Sequence, residues 1–276
     1  MTAPSLPTLP QLRQEIDRID SAMHELLMER GRIIDTLIEI KKTAESGSAF
    51  RPGREASMMR EIVERHRGIL PLDTVEGIWR VIIATFTYVQ APFSVHVDTA
   101  GGDAAMRDSV RFHFGFTVPF IAHLGAGPVI AAIAAAKGDL GMVRLDQGSG
   151  GGPWWQDLQG EAAPKIIARL PFVERPDHPA STPVFLLAKP LADAAVREEI
   201  VASLQVERWS PALTAALAQH GVAVETSCGI PQGLALLVSH GDEVDTNAFL
   251  QALSAGGTPA RYEEIGSHAR RFAFAR

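Results

Sequence analysis

The longest hydrophobic pattern in the chain runs from Leu12 to Lys42. Apolar residues recur there every three or four positions, which predicts one face of an α-helix. This apolar stripe consists of Leu12, Ile16, Ile19, Met23, Leu27, Ile34 and Leu37. Pro10 suits a first helical turn, and a helix that ends at Lys42 would be about 50 Å long. One small domain cannot bury so long a helix, so we expect a partner helix to cover its far end.

Two basic residues interrupt the stripe on one side of this helix. Arg30 and Lys41 are 11 residues apart, so at about 100° per residue they point within about 20° of each other. Arg13 is rotated away from both by roughly 80–100° and should face a different neighbour. Two interpretations stay open. The side chains reach solvent from the edge of a packed face, or they form an anion pocket inside a helix bundle.

Two further helices are predicted before residue 92. The segment 51–55, RPGRE, opens the second helix, whose inner face is Met58, Met59, Ile62 and Val63. Asp73 is the predicted N-cap of the third helix, which Pro92 ends. The predicted inner face of that helix consists of Val75, Ile78, Ile82, Phe86 and Val89. Residues 1–92 should therefore form a three-helix domain without strands.

The pattern changes after residue 92. Residues 93–145 alternate strand and helix signals in the order βαβαβ, which favours a parallel sheet covered by helices. The predicted helices are Asp103–Phe114 and Pro128–Lys137, and two more strand candidates follow at 165–173 and 183–190. Residues 201–266 read as βαββαβ, a ferredoxin-like unit. The fold class is multidomain, α plus α/β, with domains 1–92, 93–195 and 196–276.

Composition narrows the classes of function. The chain has 276 residues, of which 46% are hydrophobic, and this is enough for two or three domains. A net charge of −6 argues against nucleic acid or an anionic membrane as a general partner. Cys228 is the only cysteine, so neither a disulfide framework nor a thiol zinc site is expected. The N-terminus does not read as a signal peptide, and no apolar run approaches about 18 residues. We therefore expect a cytoplasmic protein.

The N-terminal segments resemble the all-α class of chorismate mutases over roughly residues 8–92. The resemblance is carried by LRQEIDRID, LLMERGRII, Lys41, RPGREASMMREI and Gln90. It implies an intertwined homodimer with two active sites that converts chorismate to prephenate without a cofactor or metal. By position, the residues that match one subunit's pocket are Arg30, Lys41, Arg54, Glu55 and Gln90. Arg13 matches an arginine supplied by the other subunit.

The implied reaction explains these residue types. It is a pericyclic rearrangement, so the pocket needs neither a nucleophile nor a general base. The enzyme has to hold a dicarboxylate in its reactive conformation, which suits Arg13 and Arg54 as binding residues. Arg30, Lys41, Glu55 and Gln90 are the catalytic candidates. Lys41 and Gln90 would donate to the ether oxygen as its negative charge grows, and Glu55 would hold the ring hydroxyl.

Two positions depart from the pattern of that family. Arg51 stands where the family has an Asp, and Phe86 stands where it has a small hydroxyl residue. The first change removes a possible hydroxyl contact, and the second fills space near the pocket. We expect both to affect substrate affinity more than the type of reaction.

The rest of the chain is similar to the bifunctional chorismate mutase–prephenate dehydratase. Residues 93–195 resemble a shortened dehydratase region, and 196–276 resemble its regulatory ACT domain. However, the segment 182–185, TPVF, lacks the arginine of the dehydratase signature Thr-Arg-Phe. Dehydratase activity and phenylalanine binding are therefore not expected.

Two alternatives to a mutase remain. An isochorismate-pyruvate lyase would use the same helical scaffold on a closely related substrate. A catalytically weak regulatory subunit would instead bind an aromatic amino acid or a partner enzyme through its C-terminal part.

Overall fold

The structure, a computed structural model, describes residues 6–41, 49–145, 151–190 and 196–273. The chain divides into two compact units, residues 1–46 and 47–276. No helix among the described residues is long and apolar enough to cross a membrane.

The described part of the first unit contains the helix α1 (Leu9–Lys41). This confirms the predicted long helix, although Lys42 lies outside the described residues. Five of the seven residues of its apolar stripe are exposed, with exposed fractions from 38% at Leu27 to 57% at Ile16, whereas Ile34 and Leu37 are half-buried. Exposed apolar residues at this spacing form a contiguous surface that water solvates poorly. That a partner helix covers the far end of α1 stays a prediction.

The second unit begins with two helices, α2 (Pro52–Arg65) and α3 (Leu72–Gln90). Pro52 occupies the first turn of α2, where the missing N–H costs nothing. The prediction of Asp73 as an N-cap was wrong, because α3 begins one residue earlier and Pro71 is its N-cap. Asp73 instead lies in the first turn of α3, with its carboxylate 3.7 Å from Arg175.

Helix α3 turns an unexpected face inward. Ile78 and Val89 of the predicted inner face are 45% and 50% exposed. The side chains that α3 buries are Leu72, Glu76, Arg80, Ile83, Ala84 and Thr87. The helix is therefore rotated relative to the prediction, which was wrong about the inner face. The charged residues Glu76 and Arg80 lie on the buried face instead. Helix α2 does bury Met59, Ile62 and Val63 as predicted.

The βαβαβ segment is confirmed. It consists of β1 (Val95–Asp98), α4 (Asp103–Phe114), β2 (Phe120–His123), α5 (Ala126–Ala135) and β3 (Leu140–Arg144). Strand β1 pairs in parallel with both β2 and β3. A 3-10 helix (Trp154–Leu158) and three strands follow: β4 (Lys165–Leu170), β5 (Val173–Glu174) and β6 (Val184–Ala188).

The βαββαβ segment is also confirmed. Its elements are β7 (Glu199–Val206), α6 (Pro211–His220), β8 (Ala223–Ile230), β9 (Gly233–Gly241), α7 (Thr246–Ala255) and β10 (Ala260–His268). The strands lie in the order β10-β7-β9-β8, and neighbours are antiparallel. Helix α6 is capped by the Ser210 hydroxyl, and α7 by the Asp245 carboxylate.

These segments join in one nine-stranded sheet, ordered β2-β1-β3-β6-β4-β10-β7-β9-β8. The two segments are joined where β10 pairs in parallel with β4, with Gly266 opposite Ile166. A side chain at Gly266 would collide with the backbone of Ile166, so this close approach requires glycine. A short strand β11 (Phe272–Ala273) pairs with β5. Our boundaries at residues 92 and 195 stay predictions, and the sheet crosses the second of them.

The helices α2 and α3 share one hydrophobic core with this sheet. Met59 of α2 and Ile83 of α3 belong to the same buried cluster as Val95 of β1, Met106 of α4 and Leu186 of β6. Residues 49–91 are therefore packed directly against the α/β region. This contact places charged side chains of α2 and α3 beside residues from the second half of the chain.

Candidate active site

Three of the six predicted site residues lie on α1. Arg13 is exposed and Arg30 is half-buried within the described chain. Lys41 is the last residue of α1, and its side chain lies outside what the structure describes.

The other three predicted residues lie on α2 and α3. Arg54 is exposed, and its neighbour Glu55 is buried. Gln90 is half-buried at the end of α3, where its Nε2 donates to the Phe86 carbonyl oxygen at 2.9 Å. Arg51, one of the two departures, donates from Nη1 to the Phe50 carbonyl oxygen at 2.8 Å. Of these three residues, Glu55 is therefore the one whose side chain is buried.

Glu55 forms a buried ion pair with Arg80. The Arg80 Nη1 donates to Glu55 Oε2 at 2.8 Å, and the two side chains are only 5% and 8% exposed. Burial raises the pKa of Glu55, and the Arg80 charge and hydrogen bond oppose that rise. Arg80 therefore favours the carboxylate form of Glu55, which burial disfavours.

A small cavity adjoins this pair. Its volume is about 20 Å³, enough for about one water molecule. Glu55, Arg80 and Arg169 of β4 contribute its charged lining, and Phe50 and Phe172 lie among its apolar residues. Arg169 has a different carboxylate partner, because its Nη1 lies 2.7 Å from Glu225 Oε1. The wall of the cavity thus combines α2 and α3 with the sheet.

A second buried pair lies one turn before Arg80 on α3. The Ala180 N–H donates to His178 Nδ1 at 3.0 Å, so the ring hydrogen is on Nε2 and donates to Glu76 Oε2 at 3.2 Å. His113 of α4 stacks on His178 with ring centroids 6.3 Å apart. Burial first, and then the nearby Arg80 and His178, lower the pKa of His113 well below its usual range. His113 is therefore neutral at neutral pH.

Sequence reasoning predicted one member of the buried cluster, Glu55, and missed the other four. The missed residues are Glu76, Arg80, His113 and His178. One local signal was available, because Glu76 and Arg80 are four residues apart and share a helix face. That spacing usually indicates an exposed ion pair, whereas here each residue has a separate buried partner.

The α/β region holds another chain of polar groups. His96 of β1 lies between Asp139 and His123, with its Nε2 3.0 Å from Asp139 Oδ2 and its Nδ1 2.8 Å from His123 Nε2. Burial and the neighbouring His96 lower the pKa of His123. Within the described residues, no group of three or more His, Cys, Asp or Glu side chains is arranged to hold a metal ion.

Residues 12–91 match the family model "Chorismate mutase type II". The N-terminal helices are therefore a chorismate mutase type II domain, which confirms the resemblance seen in the sequence. All six predicted site residues fall inside the matched segment.

Two curated relatives are similar over longer segments. The bifunctional chorismate mutase/prephenate dehydratase of Neisseria gonorrhoeae is 30% identical over 118 residues, which are 43% of this chain and 30% of the relative. The enzyme of the same name from Pseudomonas aeruginosa is 26% identical over 147 residues, 52% of this chain and 40% of the relative. The chain thus spans less than half the length of these relatives.

Two solved structures are similar in a general way. The prephenate dehydratase of Streptococcus mutans aligns with a TM-score of 0.39 at 12% identity, over 66% of this chain and 100% of that one. The prephenate dehydratase of Arthrobacter aurescens, in complex with L-Phe, gives 0.42 at 13% identity, over 64% and 90%.

Proposed function

We propose that this protein is a chorismate mutase that converts chorismate to prephenate, in the biosynthesis of aromatic amino acids. The observation that carries the proposal is the match of residues 12–91 to the chorismate mutase type II family. The curated relatives, whose names include chorismate mutase, support it. Retention of Arg30, Lys41, Arg54, Glu55 and Gln90 in one chain argues against an inactive domain.

The proposed mechanism uses binding and electrostatics only. Arg13 and Arg54 bind the substrate carboxylates through forked, permanently charged donors. Holding the compact conformer converts binding energy into rate. Lys41 and Gln90 donate to the ether oxygen, where negative charge develops as the C–O bond breaks. A glutamine donates at any pH, so position 90 imposes no acidic optimum.

We also propose a homodimer with shared active sites. The exposed stripe on α1 supports this proposal, because five of its apolar side chains are at least 38% exposed. A second copy of α1 is the occupant that suits the stripe, since the same apolar face would be buried on both copies. Arg13 would then reach the pocket of the other subunit.

Mixing two inactive variants tests the shared sites. Arg13→Ala and Arg30→Ala are unfolded and refolded together. In a heterodimer, one pocket collects both lesions and the other collects neither. Statistical mixing makes about half of the dimers heterodimers, so about a quarter of all sites should work. Activity that stays at the level of the separate variants, despite confirmed heterodimers, would show that Arg13 serves its own subunit.

Turnover of the full chain tests the reaction itself. Chorismate and isochorismate are supplied separately, and prephenate and pyruvate are quantified by HPLC. Prephenate from chorismate supports the mutase, whereas pyruvate from isochorismate would favour the lyase. Neither product, together with binding of an aromatic amino acid in calorimetry, would favour the regulatory subunit. We expect no phenylpyruvate from prephenate above the uncatalysed rate, because the segment 182–185 lacks the signature arginine.

A further inference from the structure

The buried Glu55–Arg80 ion pair suggests a role for Arg80 beyond packing. A buried carboxylate is stable only when a charged or hydrogen-bonding partner compensates its lost hydration. Among the described residues, Arg80 is the group that makes an ion pair with Glu55, and Glu55 is the carboxylate that pairs with Arg80. The 2.8 Å bond uses Glu55 Oε2. The second carboxylate oxygen, Oε1, is not needed for this bond.

The other charged and titratable groups around the pair have partners of their own. From β4, Arg169 lines the same cavity but pairs with Glu225. On α3, Glu76 pairs with His178 from the loop after β5. His113 of α4 faces Arg80 and is kept neutral by burial and by that charge. Burial raises the pKa of Glu55, and Arg80 is the charged group that opposes this rise.

We propose that Arg80 is a positioning residue for the mutase reaction: it keeps Glu55 charged and fixes its orientation, so that Oε1 accepts the ring hydroxyl of the substrate. This inference rests on the proposed function and on the role that the family resemblance implies for Glu55, which is to hold the ring hydroxyl. Arg80 itself makes no contact with the reacting atoms. Its contribution is to favour the charged, hydrogen-bond-accepting form of Glu55, which burial disfavours.

The test is the pH profile of kcat/KM for the full-length Arg80→Met variant. Without the guanidinium, Glu55 should remain protonated to higher pH. The loss of one charged hydrogen bond corresponds to an upward shift of about 1 to 2 pH units in the acidic limb. We expect a rate about 10-fold or more below wild type near the foot of that limb, with recovery as the pH rises. Arg80→Lys should restore most of the wild-type profile.

Arg169→Met is the matched control, because it removes a second arginine from the same cavity while leaving the Glu55 pair intact. Its acidic limb should not move. Glu55→Gln should remove the limb, and addition of Arg80→Met to it should change the pH dependence no further. An Arg80→Met profile parallel to wild type at every pH, in a folded protein, would overturn the proposal.

Two further measurements test the role of Arg80 if the first variant is not usable. Should Arg80→Met fail to fold, Arg80→Lys and Arg80→Gln take its place, and equal profiles for these two variants would refute the role of the charge. Titration of the Glu55 carboxyl by ¹³C NMR, assigned with Glu55→Gln, tests the ionisation without turnover. A wild-type protein inactive on chorismate would refute the proposed function. A Glu55 carboxyl whose titration is unchanged by Arg80→Lys and Arg80→Gln would refute this inference separately.

Discussion

Helices α1 and α3 belong to the same chorismate mutase domain, yet they distribute apolar and charged residues in opposite ways. Helix α1 exposes its apolar stripe, with Ile16 57% exposed and Met23 55% exposed. Helix α3 buries Glu76 and Arg80 and leaves Ile78 and Val89 exposed at 45% and 50%. The difference shows that burial follows the available partners. Glu76 and Arg80 have theirs within the chain, and in the proposed dimer a second copy of α1 would cover the stripe.

The largest expected effect is a loss of stability when the buried Glu55–Arg80 pair is disrupted. Glu55→Leu leaves the Arg80 guanidinium buried without a carboxylate, which should lower the free energy of unfolding by about 3–5 kcal/mol. The double variant Glu55→Leu/Arg80→Met leaves no unpaired charge and should recover a large part of that loss. Urea denaturation measures both. Equal destabilisation by the single and double variants would contradict a compensated pair.

The cations of α1 should matter for catalysis and much less for folding. Arg30→Ala and Lys41→Ala should each lower kcat/KM by about 10²-fold or more, a loss of about 2.7 kcal/mol in transition-state stabilisation. Arg18→Ala is the control on the same helix, because Arg18 is exposed and bonds Glu15. Folded Arg30 and Lys41 variants with near-normal rates would show that these side chains only reach solvent from a packed face.

The exposed side of the comparison is tested by placing a charge on the α1 stripe. Ile16→Asp should weaken dimerisation by about 10-fold or more, because it replaces an apolar side chain whose burial contributes about 1.5–3 kcal/mol. Light scattering over a dilution series measures the dissociation constant. The control is Ile69→Asp, since Ile69 is fully exposed outside α1. A protein that is monomeric before mutation, or a dimer equally stable in both variants, would contradict the shared-site dimer.

The contrast between α1 and α3 also explains which features the sequence could predict. Local periodicity predicted α1, and it located α4 at Asp103–Phe114 as the structure has it. It chose the wrong face of α3, because the partners that allow Arg80 and Glu76 to be buried are 25 and 102 residues away in the sequence. Such pairings depend on the tertiary fold, which brings α2, α3 and the loop after β5 together. Periodicity drew attention to Arg13, Arg30 and Lys41, whereas Arg54, Glu55 and Gln90 came from family positions. The roles of all six residues stay predictions.

The smallest expected effect is the acid sensitivity of the buried face, through His113. Its pKa is lowered in the folded protein, whereas the unfolded chain has a value near 6.5. The stability contributed by neutral His113 is therefore fully present above about pH 6.5 and is lost as the pH falls below it, by up to about 1.4 kcal/mol per pH unit.

The raised pKa of Glu55 acts in the opposite direction, because the folded state then binds a proton more readily than the unfolded chain. The total pH dependence thus mixes the two groups, and a variant is needed to separate them. His113→Gln keeps a polar side chain of similar size but cannot gain a charge in this range. The difference in unfolding free energy between pH 7.5 and pH 5 should be smaller for His113→Gln than for the wild type. If the two proteins lose equal stability, then burial and the nearby Arg80 and His178 do not lower the pKa of His113 in the folded protein.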